Sequence, residues 1–432
     1  MIMVMKESGI EWVGLIPDDW KIAKNNRLFN ISKQLVNENW KNTQLLSLTK
    51  SGIIEKNIND GGGKQPESFG TYQYVEKDDI VLCLFDIDVS AVFSDRSKYD
   101  GMISPAYRVM KCTDAILPVY AKWWFDAVNI GRYYLIYTKS LRKTIDADGF
   151  GNILTVVPPL SEQQAIADYL DETCSKIDEI IAEANASVKE YKELKQSVIF
   201  DGISLGTRSC CEYKKTTLEG IKKIPVAWEY RKLKFLIKYI ESGVSVNAGN
   251  EPATELEYGV LKTSCVSKMV FIPSENKSVN KDEYARVKCH VCGNTIIVSR
   301  MNTPDLVGAC AYIEKNINNL FLPDRLWQVH FNDDVNVKYV YYCLISPYIR
   351  NYYSSLSTGT SSSMQNISQG QFANAIITYP SLEEQKEIVE FLDKRTAEID
   401  SLIAEKESLI NDLEAYKKSL IYEVVTGKRR VV

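Results

Sequence analysis

The chain has 432 residues, too many for one ordinary hydrophobic core and enough for two or three domains. Hydrophobic residues make up 45% and charged residues 25%, a globular balance that excludes wholesale disorder. The net charge of −4, taken whole, argues against a nucleic-acid partner, yet residues 21–157 carry +3 and 229–379 carry +2, whereas 158–205 and 380–427 each carry −6.

In chain order, the apolar start Met1–Met5 ends at Lys6, so it does not read as a secretory signal. No apolar run reaches the roughly 18–20 residues that cross a bilayer. Ten cysteines without framework spacing fit free thiols in a reducing compartment, and a soluble cytoplasmic protein is expected. An opening motif, Trp12-Val-Gly-Leu-Ile-Pro17-Asp-Asp-Trp20, leads into a region with strand candidates at 79–85 and 106–110. A helical stretch with aromatics follows at 119–125, and core packing is expected of those rings rather than base stacking. Pro158 then opens a long helical pattern. The opening motif returns as Leu218-Glu-Gly-Ile-Lys-Lys-Ile-Pro225-Val-Ala-Trp228, followed by strand candidates at 259–262, 295–299 and 326–331. An aromatic helix at 337–345, a polar loop at 356–366 and a second long helix from Pro380 complete the chain.

The two helical blocks repeat each other. Residues 158–199 laid over 380–421, an offset of 222, give 15 identities in 42 gapless pairs, including Leu170-Asp171 with Leu392-Asp393 and Ile177-Asp178 with Ile399-Asp400. The chain is an internal duplication. Each block starts with acid in its first turn, where the helix dipole favours it. Apolar residues then recur at Ile166, Leu170, Ile177, Ile180, Ala184, Tyr191, Leu194 and Val198, and at Ile388, Leu392, Ile399, Leu402, Leu409, Leu413, Tyr416 and Leu420. These spacings predict a heptad seam over about 60 Å of helix. Two such seams pair most simply as a coiled coil; two separate amphipathic helices, each on its own domain, are the alternative. Between motif and helix the two intervening regions differ by 14 residues, 138 against 152, and their first halves show no convincing match.

Catalytic signatures are missing. The two histidines, His290 and His330, lie in no zinc or triad context, and Gly61–Lys64 lacks the spacing of a phosphate-binding loop. Val156–Leu160 lacks the residue that opens an amino-methyltransferase motif, and no glycine-rich cofactor fingerprint follows a strand. Cys289-His-Val-Cys292 has no second ligand pair nearby, so it reads as a turn into a strand rather than a zinc site. No catalytic and no metal residues are assigned.

The layout resembles the specificity subunit of type I restriction–modification systems. Ile-Pro-x-x-Trp at 16–20 and 224–228, the Pro-Pro-Leu-x-Glu-Gln and Pro-x-Leu-Glu-Glu-Gln helix openings, and the paired Leu-Asp and Ile-Asp motifs carry the resemblance across the whole chain. Where that family often has Gly-Asp before a strand, this chain has Asp78-Asp79 and Gly293-Asn294. The resemblance implies an α+β fold with two mixed, strand-rich target recognition domains, separated by two long helices in an antiparallel coiled coil with pseudo-twofold duplication. The implied domains are 1–157, a spacer helix at 158–205, 206–379, and a second helix with a basic tail at 380–432. It further implies a non-catalytic chain that reads an asymmetric bipartite site on double-stranded DNA. Two methyltransferase (modification) subunits and restriction subunits would dock on it, and S-adenosylmethionine, ATP and Mg would belong to those partners. The assembled complex would then act as adenine methyltransferase and ATP-dependent endonuclease. A coiled-coil scaffold that bridges proteins without reading DNA is the alternative, and a stand-alone modifying enzyme would need the missing cofactor fingerprint.

Polar loop residues are the candidate DNA contacts. Lys50, Ser51, Lys262, Thr263, Ser264 and Lys268 follow a strand near the start of each domain. Arg300 and Asn302 follow the 296–299 strand, and Thr358, Thr360, Ser361 and Ser362 lie in the late loop. Arg142 and Lys143 are the nearest basic counterparts in the first copy. Arginine pairs well with guanine, and asparagine with adenine, in the major groove.

Overall fold

The computed structural model describes residues 4–50, 52–58, 68–89, 93–138, 142–207, 212–218, 220–356, 358–361 and 364–431. They form two compact units, residues 1–185 with 407–432, and residues 186–406. Each unit therefore draws on both halves of the chain.

The first half runs β1 (Met5–Glu7), β2 (Leu15–Pro17), β3 (Lys21–Lys24), α1 (Asn25–Leu28), β4 (Phe29–Ser32), β5 (Leu45–Thr49), β6 (Gly52–Lys56), β7 (Gln73–Val75) and β8 (Ile80–Leu82). It continues with β9 (Ser94–Arg96), β10 (Gly101–Ile103), β11 (Arg108–Cys112), α2 (Pro118–Ile130), α3 (Ala147–Asn152), β12 (Leu154–Val157) and α4 (Leu160–Leu205). The second half runs β13 (Tyr213–Lys215), β14 (Lys223–Pro225), β15 (Glu229–Lys232), β16 (Ile237–Ser242), β17 (Gly259–Leu261), β18 (Asn276–Ser278), β19 (His290–Val291) and β20 (Thr295–Ser299). Then come β21 (Met301–Asn302), β22 (Cys310–Ile313), β23 (Ile317–Phe321), β24 (Leu326–Phe331), α5 (Val337–Ile345), α6 (Pro347–Leu356) and the hairpin β25 (Thr358–Ser361) and β26 (Met364–Asn366). The chain closes with α7 (Gln369–Ala373), β27 (Ile376–Tyr379) and α8 (Leu382–Val425).

The two strand-rich domains share one topology despite their unlike sequences. In the first unit the sheets are ordered β6-β5-β10-β7 and β4-β11-β8-β9; in the second they are β18-β17-β23-β19 and β16-β24-β20-β22. In each, a parallel pair, β5 with β10 or β17 with β23, sits between antiparallel neighbours, and the other sheet is antiparallel throughout. The departure from Gly-Asp acquires a reason here. Asp78 (φ +74°) and Asn294 (φ +54°) both take left-handed backbone just before β8 and β20. Glycine adopts that conformation freely, and aspartate and asparagine tolerate it best among the other residues. The aromatics of α2 and α5 are core, with Tyr120, Trp124, Phe125 and Tyr339 fully buried.

The duplication reaches further back than residue 158. Asp146 caps α3 by accepting from Gly149 N, and Ser368, its partner at the same offset, caps α7 by accepting from Gln371 N. Phe150 and Phe372 are both buried behind these caps. The following strands pair with the strands after the opening motifs, β12 with β3 and β27 with β15.

The long helices, 46 and 44 residues, pack antiparallel in each unit. In the first unit Ile166, Leu170 and Ile177 of α4 share a core with Leu420, Ile421 and Val424 of α8. In the second, Ile199 and Ile203 share a core with Ile388 and Leu392. The paired arrangement expected from the heptads holds, but five of the sixteen predicted seam residues face outward and the seam takes their neighbours instead. Ile180, Leu194, Leu402, Leu409 and Tyr416 are 39–47% exposed. The buried or half-buried row is instead Gln163, Ala167, Leu170, Cys174, Ile177, Ile181, Ala184, Val188, Tyr191, Lys195 and Val198, and it recurs at the same offset from Gln385 to Leu420. Apolar residues occur at both 180 and 181, 402 and 403, and 409 and 410, so periodicity alone admits either row. The row that packing selects is the one containing Ala167, Leu170, Cys174, Ile177 and Ala184, all buried.

Candidate nucleic-acid interface

In each unit the end of a central strand meets the late segment of its domain. After β8, Ile145 N donates to Leu84 O (2.9 Å) and Asp86 N to Arg142 O (2.9 Å). After β20, Ile367 N donates to Arg300 O (3.1 Å), and β21 pairs with β26, which pairs with β25. Candidates that lie some sixty residues apart in sequence are thus brought together: Asn302 shares one small sheet with Thr358, Thr360 and Ser361, and Arg300 directly precedes it. The segment carrying Arg142 and Lys143 occupies the equivalent place in the first unit. Ser51 and Ser362 lie outside the described residues.

The side chains differ in how free they are. Lys50 is exposed just after β5, beside a polar cleft of about 640 Å³ lined also by Arg96, Lys98, Lys122 and Asp126. Arg142 is exposed but pairs with Asp86 (3.3 Å), while Lys143 is exposed in left-handed backbone. Lys262 lies 3.8 Å from the Glu275 carboxylate, to which Ser264 Oγ also donates (2.5 Å), so these two are engaged within the protein. Thr263 begins a short 3₁₀ turn and Lys268 is exposed. Asn302 Oδ1 accepts from Thr303 N (2.9 Å) and its Nδ2 faces Ser299 Oγ (3.5 Å), which makes it a turn residue. Arg300 is half-buried, and its Nε has no partner among the described residues.

Sequence reasoning missed what fixes each domain to its helix. The repeated Leu-Asp aspartates accept from the aromatic helices: Trp123 Nε1 donates to Asp171 Oδ1 (2.9 Å), and Tyr342 OH donates to Asp393 Oδ1 (2.6 Å). Lys338 adds an ion pair to Asp393 (2.7 Å). The repeated Ile-Asp aspartates reach the other long helix, with Lys417 Nζ 2.6 Å from Asp178 and Lys195 Nζ 2.6 Å from Asp400. Lys195 and Lys417 are themselves partners at the offset of 222, so both units carry one pair with the helices exchanging roles. The repetition of these aspartates was the available signal; their partners were not visible in it.

Comparison with known proteins agrees with this geometry. The family model described as type I restriction modification DNA specificity domain matches residues 225–412. The type I restriction enzyme EcoEI specificity subunit of Escherichia coli is 27% identical over 173 residues, 40% of this chain but only 29% of that one. The MjaVIII specificity subunit of Methanocaldococcus jannaschii is 27% identical over 321 residues, 69% of this chain and 70% of that one. The chain is thus similar to type I restriction–modification specificity subunits, most directly across residues 225–412, and it spans under a third of the length of the EcoEI subunit. Its fold matches a chain from "Structural basis underlying complex assembly and conformational transition of the type I R-M system", with a TM-score of 0.69 at 13% identity over 96% of this chain and 99% of that one.

The opening motifs pack against the helix ends. Trp20 is buried and its Nε1 donates to Glu162 Oε2 (2.9 Å), which also binds Arg430. Gly427, at φ +73°, leaves room for the Trp20 ring, since a Cβ there would come within 3.0 Å of it; Gly206, at φ +77°, does the same for Trp228. The displaced apolar row is what the paired helices leave outward. Ile180 and Tyr416 are exposed in the first unit, and their offset partners Leu402 and Leu194 in the second. No helix among the described residues is long and apolar enough to cross a membrane.

Proposed function

We propose that this chain directs a type I restriction–modification complex to an asymmetric, split target on double-stranded DNA. One strand-rich domain reads each half-site, and the outward rows Ile180/Tyr416 and Leu402/Leu194 seat two copies of one methyltransferase subunit, to which restriction subunits add. S-adenosylmethionine, ATP and Mg are held by those partners, and this chain supplies positioning rather than catalysis. The observation that carries the reading is the contrast between scaffold and loop ends. Strand order, helix caps, aspartate anchors and outward apolar rows repeat between the units, as docking of identical partners requires. The residues at the strand ends differ, as reading two unlike half-sites requires. The acidic helices suit protein partners and repel phosphates, so partners would supply most counterion-releasing contacts and these domains the base-edge contacts.

Methylome sequencing of cells with and without the gene tests the reading. An asymmetric motif with a non-specific spacer is expected; a palindromic or continuous motif overturns it, and no motif at all favours the bridging scaffold. Docking is tested separately with Ile180→Glu/Tyr416→Glu and Leu402→Glu/Leu194→Glu. Each pair should lower the methyltransferase stoichiometry from two to one while the chain stays folded, and unchanged stoichiometry would remove these rows from the interface.

A further inference from the structure

The end of β20 in the second unit carries a feature that its counterpart in the first lacks. Arg300 follows β20, whose five residues are all buried, and its backbone is held on both sides: its N donates to Arg325 O (3.1 Å), and its O accepts from Ile367 N (3.1 Å). Arg325, exposed, directly precedes β24, the strand paired with β20. None of the guanidinium donors of Arg300 or Arg325 meets a protein acceptor among the described residues, and Arg300 Nε is buried without one. Two aspartates are near in sequence, Asp305 and Asp324, yet neither carboxylate pairs with either arginine; the Asp305 carbonyl is taken by Arg350 Nη2 (2.8 Å). The adjoining hairpin, β25 and β26, contains no acidic residue. An unpaired, partly enclosed guanidinium is costly to keep, and a ligand with two coplanar acceptors removes that cost.

Two groups on DNA offer such acceptors, the O6/N7 edge of guanine and a phosphate. The comparison between units separates them. By strand register the counterparts of Arg300 and Arg325 in the first unit are Leu84 and Ala106, and Leu84 is buried. Both domains must grip the same phosphate backbone, so a phosphate clamp belongs in both; a base reader belongs in one. We propose that Arg300 and Arg325 are a guanine-reading pair that sets the half-site of the second domain, while the first domain reads its half-site by other means. This rests on the DNA-reading function proposed above.

The test uses the full chain assembled with its methyltransferase subunits. Methylome sequencing first gives the split motif, and exchanging residues 21–157 for another first domain identifies the half-site that stays, which is the second domain's. Methylation is then measured on duplexes carrying guanine-to-adenine changes, one at a time, in either half. Wild type should discriminate by roughly 5- to 150-fold at each guanine read, the range of one bidentate contact. Arg300→Lys, which keeps the charge but not the fork, should bring one of these ratios close to 1 and leave the other half-site unchanged; Arg325→Ala should do so at a neighbouring guanine. Size-exclusion of the complex checks assembly of each variant. A second half-site without guanine, an equal loss at both half-sites, or a uniform weakening with a shallower salt slope would overturn the assignment. Absence of any split motif would instead refute the DNA-reading function itself.

Discussion

Asp393→Ala probes the joint between the second strand-rich domain and its helix. The substitution removes the acceptor of Tyr342 OH (2.6 Å) and the ion-pair partner of Lys338 (2.7 Å). Burial pushes the Tyr342 phenol well above its usual pKa, so it remains a donor, and Thr396 Oγ1 at 3.4 Å is a poor substitute acceptor. Stranding a buried hydroxyl costs about 1–3 kcal/mol. The Lys338 pair is over one-third exposed and adds under about 1 kcal/mol. A loss of about 2–3 kcal/mol corresponds to a fall of about 4–12 °C in the transition of a unit this size. Asp171→Ala in the first unit should cost less, about 1–2 kcal/mol, because it strands the buried Trp123 indole N–H at 2.9 Å but breaks no ion pair. Thermal unfolding of the purified chain compares the two. A cycle with Tyr342→Phe should return a coupling of about 1–2 kcal/mol with Asp393→Ala. Equal shifts for both alanine variants, or additivity within about 0.3 kcal/mol in the cycle, would refute the anchor.

The tryptophans of the opening motifs should not be equivalent. Trp20→Phe loses the bond to Glu162 and costs about 1–2 kcal/mol, whereas Trp228 Nε1 is buried without a partner among the described residues, so Trp228→Phe costs less; denaturant midpoints decide. A cycle of Lys195→Ala with Asp400→Ala should give about 0.2–1 kcal/mol at low salt, fading in 1 M salt, where screening shortens to about 3 Å. Burial raises the Asp79 carboxyl above its usual range, so its contribution to stability is fully present below the unfolded-state pKa and is lost as pH rises through the folded value. Asp79→Asn should therefore gain on wild type between acid and neutral pH; a stability difference that does not change with pH would contradict the burial argument.

Much of the fold was legible because duplication and periodicity are local signals. The two helices appear where gapless identity places them, Leu160–Leu205 and Leu382–Val425. Of the strand candidates, 295–299 and 326–331 coincide with β20 and β24 residue for residue. The common topology of the two domains was not legible. Strand order rests on pairings between segments distant in sequence, and unlike residues fill equivalent positions, Leu82 opposite Arg108 in one and Val298 opposite Trp327 in the other. Among the candidate contacts, residue type singled out Arg300 and Lys262 equally; Glu275 is eleven residues past Ser264, and nothing in that spacing predicts that it engages Lys262.

By itself the sequence determined the repeated plan, the two long helices, the buried aromatic helices and the family resemblance, because each is written in spacings along one chain. Tertiary structure decided which of two adjacent apolar rows became the seam. Ile180 and Ile181, or Leu402 and Ile403, are equally apolar, and only packing against a second helix buries one row and leaves the other outward. It likewise decided which charges are engaged: Lys262 and Arg142 found carboxylates through the fold, and Arg300 met none among the described residues, since a charge is neutralised by what folding brings near it and not by its neighbours in sequence.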